Sequence, residues 1–367
     1  MTTLDDITAK LDAGERLGRE DGLALYAADD LLALGALADR VRQARHGRRA
    51  WYIVNTHVNT TNVCVNRCGL CAFWAAPEDE AAYFLSPEEV LQRARPDVEA
   101  GATEVHVVGG CHPEMDLDYC LAVVGRLREA FPEVCVQAFT AVEVAHAAER
   151  SGASVDEALG RLKSAGLTGM PGGGAEIFAH DVRRRICPNK ISGDEWLAVQ
   201  RAAHGLGIPT NATMLYGHVE TPADRVDHLL RLRALQDETG GIQTLIPLPF
   251  HPEGTAFPDL AGPTAVDDLK TTAVARLLLD NVPHLKAFWI MLAPDLAQVA
   301  LRFGADDIDG TVVREEITHA AGARTPQRLS VGDLEALAAG VGCEPVERDT
   351  VYRRVERGAD RRHWRRI

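Results

Sequence analysis

The chain has 367 residues, 46% hydrophobic and 25% charged, an ordinary globular composition with room for one large barrel or two domains. A formal net charge of −14 argues against a nucleic-acid or anionic-membrane partner. No apolar run approaches the roughly 20 residues of a membrane span, and the opening "MTTLDDITAKLDAG" lacks a hydrophobic signal core, so a cytoplasmic location is expected.

In chain order, residues 1–50 read as a helical extension: "DDLLALGALADRVRQARHG" carries apolar residues at helical spacing and ends at a glycine. From Trp51 short apolar runs alternate with longer amphipathic ones. "WYIVNTHVNTTNV" is the first strand candidate and "SPEEVLQRARPDVEAG" a helix with a Ser86/Glu89 capping box. "TEVHVVGG", "EVCVQAF", "LTGM", "PTNATML", "IQTLIPL", "LKAFWIM" and "ADDIDGTVV" supply seven further strands, separated by helical or long crossover segments. Eight such units predict an α/β fold, a parallel (β/α)8 TIM-type barrel over 51–320, with a C-terminal extension over 321–367. An open doubly wound sheet is the alternative, but it would show fewer strands and a G-x-G-x-x-G turn. The basic tail "RRVERGADRRHWRRI" reads as a solvated terminus.

Eight cysteines in a reducing compartment do not form a disulfide framework. Cys111, Cys120, Cys135, Cys187 and Cys343 are scattered and read as small packing residues. The other three are not scattered. "TNVCVNRCGLCAFW" sets Cys64, Cys68 and Cys71 in a C-x3-C-x2-C run after the first strand, on the face where barrel enzymes keep their chemistry. Structural zinc takes four ligands, and a catalytic zinc on three clustered thiolates without a histidine would be unusual. Iron–sulfur clusters are held by cysteine thiolates, and a cubane held by three keeps one iron open to a substrate. Three packing cysteines on a loop is the blander alternative.

This run, placed after the first strand of a β/α barrel, resembles the radical S-adenosylmethionine (SAM) superfamily. The resemblance implies a 4Fe-4S cluster on Cys64, Cys68 and Cys71 whose open iron chelates SAM. It implies a glycine turn at Gly109 and Gly110 in "HVVGGCHP" against the SAM amino group. It also implies Thr140 or Glu143 in "QAFTAVEV" near the ribose, with Glu143 preferred, and an aromatic near the adenine, here Phe73. Longer stretches, among them "MPGGGAEIF", "ICPNKISGDEW" and "IPLPFHPEGT", resemble the enzymes of the futalosine route to menaquinone and their deazaflavin-cofactor relatives, the aminofutalosine synthase family above all.

That likeness implies a small-molecule substrate, 3-[(1-carboxyvinyl)oxy]benzoate, with SAM as co-substrate and a flavodoxin or ferredoxin as electron donor. Two substrate carboxylates call for cationic or N–H donors. The "GGGAE" turn, with Gly173 and Gly174, could offer backbone N–H groups as an anion nest or be a flexible turn. His218 is the first choice for an acid/base, and His57, Asn59, Thr213, Tyr216 and His251 are expected around the substrate. Arg183, Arg184 and Arg185 read as a solvated helix face, and Lys190 has the better claim on an anion. Two further functions stay open: a dehypoxanthine futalosine cyclase, and a non-catalytic iron–sulfur or zinc protein.

Overall fold

The computed structural model describes residues 2–358 and 362–366. The first barrel strand comes in two pieces, Arg49–Ile53 and Asn55–Asn59. It is followed by Glu104–Val108, Cys135–Ala138, Thr210–Tyr216, Ile242–Pro249, His284–Leu285 and Asp307–Gly310. The fourth position is held by residues 169 and 170 alone, which bridge Gln137 on one side and Thr210 on the other. Parallel pairing runs from each strand to the next, and the eighth closes onto the first through Trp51–Asp307 and Ile53–Gly310. The ring of eight is complete.

Strand alternation sorts the side chains. On the fifth strand Asn211, Thr213 and Leu215 face the barrel cavity. Ala212, Met214 and Tyr216 therefore face outward, and all three are buried. The helices between strands start on strong caps: Ser86, Thr140, Ser192, Thr221 and Thr264 each close a reciprocal capping box.

The expected elements needed three corrections. "LTGM" supplies two bridging residues and no more, because Pro171 has no N–H to give and three glycines follow it. "LKAFWIM" is a strand only at His284–Leu285. Ala287 then bonds Asp307 O and the chain turns into the short helix Trp289–Leu292, anchored by the fully buried Trp289, whose Nε1 donates to Gly310 O at 2.8 Å. The helix Ala141–Arg150 after the third strand was not foreseen, although Thr140 and Glu143 are its N-cap and capping-box pair.

Both extensions have a defined place. The N-terminal helices Arg19–Ala27 and Leu31–His46 pack on the barrel's outer helices. Gly22 lies against Val226 and Leu278, and Gly35 against the Phe303 ring. The tail folds under the barrel. Glu344–Arg348 pairs in parallel with Arg49–Ile53, Thr350 Oγ1 donates to Glu104 Oε2 at 2.6 Å, and the Tyr352 ring stacks on His284 at 3.5 Å. The N-terminal mouth is thus plugged, and the open end is the C-terminal face.

Two buried ion pairs fasten this plugged end, Arg348 with Asp307 and Arg276 with Asp306. Asp306 also accepts Leu285 N–H at 2.8 Å and meets His284 Nδ1 at 2.6 Å. Arg276→Met removes the cation and leaves a fully buried carboxylate short of a partner, a loss of about 3–5 kcal/mol. A clear drop in the urea midpoint is expected, and an unchanged midpoint would contradict this reading of the pair.

Candidate functional site

A cavity of about 320 Å³ opens at the C-terminal face of the barrel. All three loop cysteines line it, and all eight cysteines are free. Among the described residues, the one set of three ligand atoms lying within 4.8 Å of one another is His46, His284 and Asp306, at the plugged end where Arg276 already pairs with the carboxylate. At least one pair among the three loop sulfurs is therefore more than 4.8 Å apart. Sulfurs on one tetrahedral zinc, each about 2.3 Å from the metal, would lie roughly 3.8 Å apart.

The loop is shaped by what lies under it. The turn at the end of the second strand packs on its backbone: a Cβ added at Gly109 would overlap the Thr60 hydroxyl, and one at Gly110 the Val63 carbonyl. Gly110 N donates to Thr61 O at 2.9 Å and Gly109 N to Glu143 Oε1 at 3.0 Å. Both glycines line the cavity, but the close approach they permit is to the cysteine loop itself. Their N–H groups are taken, so it is their carbonyls that remain for an ammonium.

Cys111, read from sequence as packing, is part of this arrangement. Its N–H donates to Cys64 Sγ at 3.3 Å, and its own sulfur accepts from Asn66 Nδ2 at 3.4 Å. The Cys111 thiol and N–H hold Cys64 down to about 5, whereas burial pushes Cys68 up to about 12 and Cys71 upward. Cys64 is thus the most readily ionised of the three, and all three would bind a metal as thiolates. Lys190 stands by as counter-charge, 2.6 Å from Glu176 and raised well above its usual range, burial notwithstanding, by Cys68 and Glu176. Three sulfur donors on one loop of the cavity and a nearby cation fit an iron–sulfur cluster.

The expected site residues divide. His57, Phe73, Gly109, Gly110, Thr140, Glu143, Gly173, Gly174, Thr213 and His251 line the cavity with the cysteines. Burial and the stacked His106 ring, 4.4 Å away, hold His57 well below the ordinary histidine value. Thr213 Oγ1 donates to Gly172 O at 2.7 Å and so fixes the glycine turn, and His251 Nε2 meets Met291 O at 3.0 Å. Glu143, pushed up to about 7 by burial, ties two turns together by accepting Gly109 N–H and Thr140 N–H.

Three residues are not brought to the cavity. His218 is enclosed: Val219 N–H donates to its Nδ1 at 2.7 Å, and its Nε2 meets Leu215 O at 3.2 Å. It steadies Glu220, which His218 and Arg225 hold down at about 2 against the upward push of burial. With its side chain fully buried and outside the cavity lining, His218 is not placed to meet a ligand there. Tyr216 points outward and donates to Asp268 at 2.7 Å, as the parity of a strand that turns Thr213 inward requires. Asn59 is consumed in holding Val108 O at 3.2 Å and the residue 316 N–H at 3.4 Å. Arg183 is also no solvated residue. It is buried, with Ala175 O at 2.6 Å and Ile191 O at 2.5 Å, while Arg184 and Arg185 are exposed.

Sequence reasoning passed over a second lysine–acid pair on the wall, Lys286 with Asp309 at 3.1 Å. Asp309 and Glu176, the acids of the two pairs, both have left-handed backbones, φ 66° and 47°. Such non-glycine positions gather at functional sites.

Comparison with known proteins agrees with this geometry. Residues 58–232 match the radical SAM superfamily model, and residues 239–359 match the CofH/MqnC C-terminal region. The aminodeoxyfutalosine synthase of Thermus thermophilus is 46% identical over 353 residues, 95% of each chain. The chain belongs to the radical SAM superfamily. Its cluster and SAM are those of that family, and its barrel is that of the family's solved structures. A methylornithine synthase superposes with a TM-score of 0.74 over 92% of this chain and 97% of its own, at 17% identity, which speaks to fold alone. Another relative, the 5-amino-6-(D-ribitylamino)uracil–L-tyrosine 4-hydroxyphenyl transferase of Methanopyrus kandleri, is 39% identical over 92% of this chain and 94% of its own.

The glycine turn generates a direct test. Gly110→Ala is expected to push the cysteine loop outward, so that iron and sulfide after anaerobic reconstitution fall well below one cluster per chain while far-UV circular dichroism stays unchanged. Full cluster content in this variant would refute the packing account.

Proposed function

We propose that this chain is an aminodeoxyfutalosine synthase, which joins the 5′-deoxyadenosyl group of SAM to 3-[(1-carboxyvinyl)oxy]benzoate to form 6-amino-6-deoxyfutalosine. The observation that carries this reading is the 46% identity to such a synthase along 95% of both chains, against 39% for the tyrosine-acting relative. In the overall conversion C5′ bonds to the terminal vinyl carbon, the aryl group moves from oxygen to carbon, methionine leaves, and one carboxylate is lost. A 4Fe-4S cluster on Cys64, Cys68 and Cys71 supplies, when bound, an open iron for SAM and the electron that splits its sulfonium.

The protein's share is binding, orientation and the exclusion of water. The Gly109 and Gly110 carbonyls suit the SAM ammonium. Ile246, Leu248, Phe250, Phe288 and Met291 form an apolar wall for an aromatic ring. His57 stays neutral in its buried stack and can share a hydrogen bond without carrying charge. Thr213 holds the Gly172–Gly174 turn toward the ligand space. A flavodoxin or ferredoxin as reductant and a cytoplasmic location complete the proposal, the latter in keeping with eight free cysteines.

The CofH/MqnC match over residues 239–359 keeps one second reading, a dehypoxanthine futalosine cyclase. Anaerobic incubation of the reconstituted protein with SAM, reductant and the enolpyruvyl benzoate, read by mass spectrometry, separates the two. The synthase consumes SAM into an adenosine-containing adduct of the benzoate. The cyclase would leave the benzoate untouched and release 5′-deoxyadenosine with dehypoxanthine futalosine as substrate.

A further inference from the structure

Of the residues lining the cavity, two carry a permanent positive charge, Lys190 and Lys286. Their surroundings set them apart. Lys190 is paired with Glu176 at 2.6 Å and stands in a segment packed on the cysteine loop, with Leu70 N–H on Ile186 O at 3.4 Å and Asn189 Nδ2 on Asn66 O at 3.2 Å. Lys286 rises from the end of the seventh strand, on the arc of wall that also carries Ile246, Leu248, Phe250 and Phe288.

The Lys286 side chain is 8% exposed and its ammonium bonds Asp309 Oδ1 at 3.1 Å. An ammonium has three N–H donors, and no other protein acceptor meets this one among the described residues. Asp309 is itself held in place, with its left-handed backbone N–H on Asp307 Oδ1 at 2.6 Å. The plainer reading is a neutral pair that fastens the seventh strand to the eighth. The Arg276 pair below it looks different: Arg276 does not line the cavity, and it spreads its guanidinium donors over Gly304 O, Pro283 O and Asp306. Lys286 faces a ligand cavity with donors to spare.

We propose that Lys286, aimed by Asp309, receives the benzoate carboxylate of the substrate while the ring lies on the apolar wall. This rests on the synthase reading. The vinyl end must meet C5′ beside the cysteine loop, so the ring carboxylate is the one directed away from it, and the cavity's other fixed cation, Lys190, belongs to the segment packed on that loop.

The test is calorimetric titration of reconstituted, SAM-loaded protein, without reductant, with the diacid and with its benzoate methyl ester. Lys286→Met is expected to weaken diacid binding about 10- to 100-fold, the worth of a hydrogen bond to a charged group. Ester binding should change by less than about 3-fold on the same scale, with iron content and SAM affinity retained. Lys286→Arg should keep the preference for the acid, and Lys286→Gln takes the place of the methionine variant if that one holds less iron. Wild-type diacid affinity in the uncharged variants, or equal losses for acid and ester, would overturn the assignment. Wild-type protein that neither binds nor converts the diacid would instead sink the synthase reading, and this proposal with it.

Discussion

The structure turns on the contact between a glycine pair and a cysteine loop. Gly109 and Gly110 end the second strand, and the absence of side chains there lets the backbone of Thr61 and Val63 settle directly on it. That contact places Cys64 under the Cys111 N–H, and the three cysteines line the open end of a barrel whose other end is plugged. In the radical SAM family to which the chain belongs, three such cysteines hold a cubane and leave one iron without a protein ligand. Everything else in the cavity is organised around that corner.

The barrel explains why so much polarity can be buried here. Asn55, Glu104, Thr213 and Asp309 all sit inside or at the ends of the strand ring, and each has a hydrogen-bond or ion-pair partner. Buried polar networks of this sort are tolerable only when satisfied. The caps, plug and outer helices supply the rigidity that keeps them so, and the N-terminal helices brace the outside without entering the site.

What could be read from sequence was what is local in sequence. Three thiols within eight residues declare a cluster loop without any knowledge of the fold, and eight alternating units declare a barrel. Residues were misread where meaning depends on direction or distance. Tyr216 and Thr213 lie three apart on one strand and so cannot share a face, a parity argument that the sequence already allowed. His218 looked catalytic beside a strand end, but Glu220 two residues on belongs to the same turn and encloses it. Lys286 sits in an apolar run, "HLKAF", where a lone lysine gives no signal. Its partner is 23 positions away, and only closure of the seventh strand against the eighth joins them. Cys111 was likewise invisible, since nothing but the fold brings it to Cys64.

The most direct measurement of the central claim is electron paramagnetic resonance of the reconstituted, reduced protein before and after addition of SAM. A cubane with one iron free of protein ligands predicts a spin-one-half signal from a reduced 4Fe-4S cluster whose g-values shift when SAM binds that iron. A sample that shows no such signal, or a signal that SAM leaves unaltered, would contradict it.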